Sequence, residues 1–247
     1  MISENMLTGH ITRWTEDNME KNVCIVNFNT TELTRAALLS LWKNTPDVKV
    51  TVFDNSDRIP FPEMDNVRII DNTKGQIIDF NAFLEKFPFR SKSNIFGSAK
   101  HTKTIDTLFD YFPDGFVLMD SDILIKKDIS CFFDDSYGYA GTLYSNTENR
   151  QRMVLRLLPF LCWINVPMCK EYGIHYFDPN RTWKLDMRKR SVYDLYDTGA
   201  SFVEDCRHFL LPYNHIDINE YMIHFRRGSW GERDCSSWLE QNKELYE

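Results

Sequence analysis

The sequence lacks most of the short patterns that announce a function. Its six cysteines (Cys24, Cys131, Cys162, Cys169, Cys206, Cys235) include no Cys-x-x-Cys, so a zinc knuckle is not expected. No Gly-rich loop of the Gly-x-Gly-x-x-Gly or Walker type follows the first strand candidate, so the usual backbone cradle for phosphates is missing. There is no N-terminal signal pattern and no apolar run long enough to span a bilayer. These absences predict no integral membrane segment and a soluble protein of a reducing compartment, the cytoplasm. Internal repeats and low-complexity linkers are also missing. Positive charge is in short supply: 29 Lys and Arg face 36 Asp and Glu, a net charge of -7, which disfavours a nucleic-acid partner. The exceptions are Arg188-Lys189-Arg190 and Arg226-Arg227, which suit a solvated face or the surface of an anionic membrane.

What is present is organised around Gly115-Phe-Val-Leu-Met-Asp-Ser-Asp-Ile-Leu-Ile-Lys126. The apolar run Phe116 to Met119 suits a strand buried on both faces, as in a parallel sheet. Beyond it lie Asp120, Ser121 and Asp122. Carboxylates at i and i+2 on extended backbone leave on the same side. They repel unless one is protonated or a cation lies between them. In open α/β sheets such a strand end is where ligands bind. The pattern therefore predicts a metal site facing a phosphate, against the plainer possibility of a solvated turn.

The rest of the chain repeats that polarity. Val23 to Phe28, Val48 to Phe53 and Asn66 to Ile70 are strand candidates, and each runs out into Asn or Asp. Asn29 and Glu32 form a helix-start signature. Leu33, Ala37, Leu38 and Leu41 share one helical face, and Asn44-Thr-Pro46 ends it. Phe80 to Phe87 and Ile105 to Phe112 carry apolar residues at i, i+3, i+4 and i+7, and a proline ends each. Strand alternating with helix predicts a parallel sheet with right-handed crossovers. After Asp128 the alternation weakens. Tyr139 to Tyr144 reads as a strand and Val154 to Val166 as an apolar stretch. Tyr196-Asp-Thr-Gly199 precedes a short helix, and Tyr221 to Phe225 reads as a late strand. Residues 1–22 read as an N-terminal extension. Residues 23–247 form one domain, with a nucleotide-binding half (23–128) and an acceptor-side half (129–247). Cys24, Cys162 and Cys206 sit among apolar residues and are expected in the core.

These residues carry a resemblance. Val23 to Asn29, Val52-Phe-Asp-Asn-Ser56, Asp120-Ser-Asp122 and Ile223-His-Phe225 with Gly-Ser-Trp230 resemble segments of GT-A glycosyltransferases, close to the family-2-like bacterial group. The resemblance covers about residues 23–230 and is loose between 130 and 195. It implies an α/β GT-A fold, with a mostly parallel central sheet flanked by helices. It also implies a nucleotide-diphospho-sugar donor, UDP-linked before GDP-linked, and a glycan or small-molecule acceptor. Asp120, Asp122 and His224 would hold Mn²⁺ or Mg²⁺. Asn27, Asn29, Asp54, Asn55, Lys100, His101, Asp120 and Ser121 would line the nucleotide. Asp197, with Glu204 and Asp205 as rivals, would be the base of an inverting transfer, whereas a retaining transfer needs none of them in that role. Trp163, Trp183 and Trp230 could stack on sugars. Two other functions fit less well. A nucleotidyltransferase usually opens with a basic Gly-rich loop, which Asn29-Thr-Thr-Glu32 is not. A binding protein without turnover has less use for an intact Asp-x-Asp.

Overall fold

A computed structural model describes residues 20–86, 94–148, 151–181, 193–225 and 234–247. The extension up to residue 19, both basic clusters, Trp183 and Trp230 lie outside the described residues.

The first half is β1 (Asn22–Asn27), α1 (Thr31–Asn44), β2 (Lys49–Asp54), β3 (Val67–Asp71), α2 (Phe80–Lys86), α3 (Asn94–Tyr111) and β4 (Phe116–Asp120). Then come β5 (Ile123–Ile125), β6 (Tyr139–Gly141), β7 (Leu143–Glu148), β8 (Gln151–Leu157), β9 (Leu161–Ile164) and α4 (Val166–Glu171). The chain closes with β10 (Tyr193–Leu195), α5 (Ala200–His208), β11 (Tyr213–His215), β12 (Met222–His224) and α6 (Ser236–Gln241).

Among the described residues the main sheet has seven strands in the order β11-β6-β9-β4-β1-β2-β3. Strands β4, β1, β2 and β3 run parallel, and β9 is antiparallel to β4 and β6. One sheet thus takes strands from both sides of residue 128. Two smaller sheets, β10-β8-β7 and β12-β5, attach to it.

Alternation along β4 shows why an apolar run was needed there. Phe116 and Leu118 join the core on the face covered by α3 and α5, while Val117 and Met119 join the core on the face covered by α1. All four are fully buried. Each contributes about 1.5–3 kcal/mol of burial free energy. The expected core cysteines Cys24, Cys162 and Cys206 are fully buried too. So is Trp163, which packs on Phe133 as a core residue and not as a sugar platform.

Two expectations need correction. Asn29 does not cap α1. It sits in the left-handed region at φ 57°, and its side chain bonds Asp57 at 2.7 Å and accepts from the Arg58 amide. An Asn tolerates that conformation better than most residues. The helix begins after Thr30, whose hydroxyl turns to Asn27 and Ser121 instead of the helix amides. Asp122, in turn, lies in a turn before β5 and not on an extension of β4.

Candidate functional site

Parallel pairing puts the polar ends of four strands on one edge. Asn27, Asp54 and Asp71 are in register across β1, β2 and β3, and Asp120 is in register with Val26. Beneath this edge lies a buried polar network. Asn27 donates to Asp54 at 2.8 Å and to Ser56 at 3.0 Å, and accepts from Thr30 and Thr34. Asp54 also accepts from the Phe61 amide at 2.6 Å, which folds the loop after β2 against the strand end. Asn55 bonds Thr104 and Asn72, and the Ser121 and Thr30 hydroxyls bond each other at 3.0 Å. Buried polar groups demand such partners. Asn27, Asp54, Asn55 and Ser121 are therefore buried and internally bonded, whereas Asn29, Lys100 and His101 keep some exposure. Lys100 lies over the rings of Phe28 and Phe80, 4.8 and 5.1 Å from their centroids. Burial lowers its pKa, against the opposing charge of Asp57.

Above the network, one oxygen each of Asp120 and Asp122 and one nitrogen of His224 lie within 4.8 Å of one another. The short strand β5 leaves the turn directly after Asp122 and pairs antiparallel with β12, which places His224 opposite Ile123. The Phe225 amide donates to the Asp122 carbonyl at 2.8 Å and secures the register. His224 Nε2 then stands 3.2 Å from Asp122 Oδ1, with the Phe160 ring against the imidazole. On the other side His101 Nε2 is 3.5 Å from Asp120 Oδ1. Burial, and then the Asp122 charge, push the Asp120 carboxyl well above its usual range, while Arg156 pulls the other way. Burial drives the His101 imidazole down to about 4, so it is neutral at physiological pH. Two close acids, one of them forced toward neutrality, form a site short of positive charge. The donor set of two carboxylates and an imidazole fits a divalent cation such as Mn²⁺ or Mg²⁺.

Asp197 approaches from the second half. It pairs with Arg156, and the Thr198 hydroxyl is 3.4 Å from that of Thr102, the neighbour of His101. Glu204 and Asp205 sit on the outer side of α5, where Arg181 bonds both and Tyr196 bonds Glu204. No ion pair joins them to the Asp120 group among the described residues. Arg156 and Tyr176 escaped sequence reasoning. The signal for Arg156 was there, a lone charge inside the apolar run Val154 to Leu158. A cavity of about 840 Å³ lined by Trp42, Val48 and Arg68 opens at the opposite strand ends and takes no part.

No protein-family profile and no curated protein matches the chain. Solved structures do. An active-site mutant of LgtC superposes with a TM-score of 0.50 at 13% identity, over 91% of this chain and 94% of that one. The chain has a GT-A fold. LgtC described as a galactosyltransferase with donor and acceptor sugar analogs gives 0.49 at 12% identity, over 80% of this chain and 73% of that one. The glycosyltransferase GlyE of Streptococcus pneumoniae TIGR4 gives 0.43 at 13% identity, and this chain spans 50% of its length. At such identities the likeness carries the GT-A architecture alone. What the chain does must come from its own side chains. Among the described residues, no helix is long and apolar enough to cross a membrane.

Proposed function

We propose that this GT-A chain is a metal-dependent glycosyltransferase that moves a sugar from a nucleotide-diphospho-sugar to an acceptor hydroxyl. The observation that carries the proposal is the convergence of Asp120, Asp122 and His224 at the carboxyl edge of the sheet. Those three residues would hold Mn²⁺ or Mg²⁺. A divalent cation bound there supplies neutralisation of a leaving diphosphate.

The chain's own residues do the rest. Asn27, Asp54, Asn55 and Ser121 brace the strand ends from beneath, since their polar atoms are already engaged. Asn29, Lys100 and His101 line the nucleotide side, with Phe28 offering a ring to the base of a UDP-sugar. His101, neutral and beside Asp120, orients that carboxylate. Asp197 is favoured over Glu204 and Asp205 as the acid facing the acceptor, because Thr198 beside it packs on Thr102, next to His101, whereas the other two lie on the outer side of α5. In an inverting transfer the acceptor oxygen bonds the anomeric carbon while the carbon–oxygen bond to the diphosphate breaks. The hydroxyl proton passes to Asp197 and the electron pair departs with the diphosphate.

The test is a panel of nucleotide sugars incubated with the protein, Mn²⁺ or Mg²⁺, and a glycan-containing extract. Release of nucleoside diphosphate that EDTA abolishes and the extract accelerates is expected. NMR of the product's anomeric centre reads the stereochemistry. Metal-dependent binding of nucleotide sugars without turnover would instead identify a binding protein. No binding and no turnover would overturn both.

A further inference from the structure

Arg156 lies near the end of β8, and Asp197 lies between β10 and α5. The guanidinium Nη1 donates to Asp197 Oδ2, and the two side chains are only 12% and 15% exposed. The Thr198 amide donates to Oδ1 at 2.7 Å. Each carboxylate oxygen is thus held by its own donor, which fixes where the carboxylate points.

A role in stability explains this pair poorly. A buried ion pair is often matched or bettered by apolar residues of the same volume. Here the pair also leaves a debt. Arg156 Nε is buried with no hydrogen-bond partner among the described residues, and so is the hydroxyl of the fully buried Tyr176. Each unmet group costs about 1–3 kcal/mol. The surroundings connect the pair to the metal group. The Thr198 hydroxyl lies 3.4 Å from that of Thr102, and the neighbouring His101 places its Nε2 3.5 Å from Asp120 Oδ1. Gly199 permits the approach: a Cβ there would stand 2.6 Å from the Leu157 carbonyl and 3.0 Å from the Tyr176 hydroxyl.

We propose that Arg156 is a positioning residue, which holds Asp197 as an aimed carboxylate beside the Asp120–Asp122–His224 group and so serves turnover, not donor capture. This rests on the transferase reading above. Arg156 reaches the site from a strand of the small sheet, so the β7–β8 hairpin becomes part of the catalytic apparatus although it supplies no metal ligand.

Steady-state kinetics on the full chain test it, using the nucleotide sugar that the wild-type protein turns over. Arg156→Ala should lower kcat by roughly 100-fold, the scale of a misplaced general base. The donor KM, and the melting shift produced by nucleoside diphosphate with Mn²⁺, should stay within about threefold, as expected when only transition-state contacts are lost. Methylguanidinium in solution should restore activity to Arg156→Ala, and Arg156→Lys should retain more than Arg156→Ala. Adding Arg156→Ala to Asp197→Asn should cost little further, because the two act as one unit. Wild-type kcat in Arg156→Ala, a donor KM that rises in step with the loss, or full additivity with Asp197→Asn would overturn the inference and leave the transferase reading standing. If Arg156→Ala does not fold, Arg156→Lys and Arg156→Met carry the same comparison. A wild-type protein that turns over no nucleotide sugar would overturn the transferase reading, and this inference with it.

Discussion

His224 Nε2 stands 3.2 Å from Asp122 Oδ1 because β12 pairs antiparallel with β5, the short strand that leaves the Asp122 turn. Asp120 reaches the same point from the end of β4. The three donors come from two sheets, so the site is complete only when β12 is docked. Its geometry is a product of tertiary pairing, and its chemistry is that of two acids and an imidazole in want of a cation.

Asp120→Asn should act oppositely on the metal-free and metal-bound protein. The Asp120 carboxyl is pushed up by burial and by Asp122, so the ionised form burdens the fold at neutral pH. In EDTA the variant should be more stable than wild type. Added Mn²⁺ should then give it none of the stabilisation that wild type gains. Differential scanning calorimetry with and without metal reads both signs.

His101 sets a pH dependence. Its folded pKa is about 4 against 6.5 for the ordinary imidazole. Between those values the unfolded chain binds more protons, so stability rises with pH across that window and is lost as pH falls through it. The full contribution is on the order of 3 kcal/mol. Urea titrations in EDTA at several pH values between 4 and 7 should show a shallower slope for His101→Gln than for wild type.

Gly199→Ala should destabilise the protein by roughly 2–4 kcal/mol, from a left-handed backbone and an overpacked contact. The residue has φ 84°, and the new methyl would meet the Leu157 carbonyl at 2.6 Å. Chemical denaturation measures the loss. A neutral result would mean that the turn joining Asp197 to α5 can move away from β8.

Leu210→Gly should do the reverse. Leu210 follows α5 at φ 58°, 85% exposed, with the Leu211 amide bonding back to the Cys206 carbonyl. A helix C-terminus of this kind prefers glycine. The substitution relieves a left-handed Leu and forfeits little burial, so stability should rise by about 1 kcal/mol, read as a higher Tm.

The first half was legible because its signals are local. The four strands that end in Asn27, Asp54, Asp71 and Asp120 fall within a residue or two of their apolar runs. Each run is short and stopped by polar residues; β1, β2 and β4 are buried on both faces, and the edge strand β3 only in part. The second half depends on pairings that leave no local trace. Tyr139 to Tyr144 reads as one strand but divides at Gly141 and Thr142, where φ reaches 139° and the Thr142 hydroxyl bonds the Ile216 carbonyl. Val154 to Val166 reads as one apolar stretch but holds the end of β8, a turn at Pro159 and all of β9. Strand β5 is three residues long, and only its partner β12 makes it a strand. The metal candidates were visible as residue types, Asp120 and Asp122 by spacing and His224 through the family resemblance. The Asn29 cap was misread because the chain turns left-handed there, and sequence pattern carries no sign of φ.

The most direct test of the metal centre is calorimetric titration of UDP and GDP into the metal-free protein, with and without saturating Mn²⁺. Wild type should bind a nucleoside diphosphate only when the metal is present, and Asp122→Asn should lose that dependence while keeping its fold by circular dichroism. Equal affinity with and without metal, or an Asp122→Asn variant that keeps the metal requirement, would contradict the assignment of Asp120, Asp122 and His224.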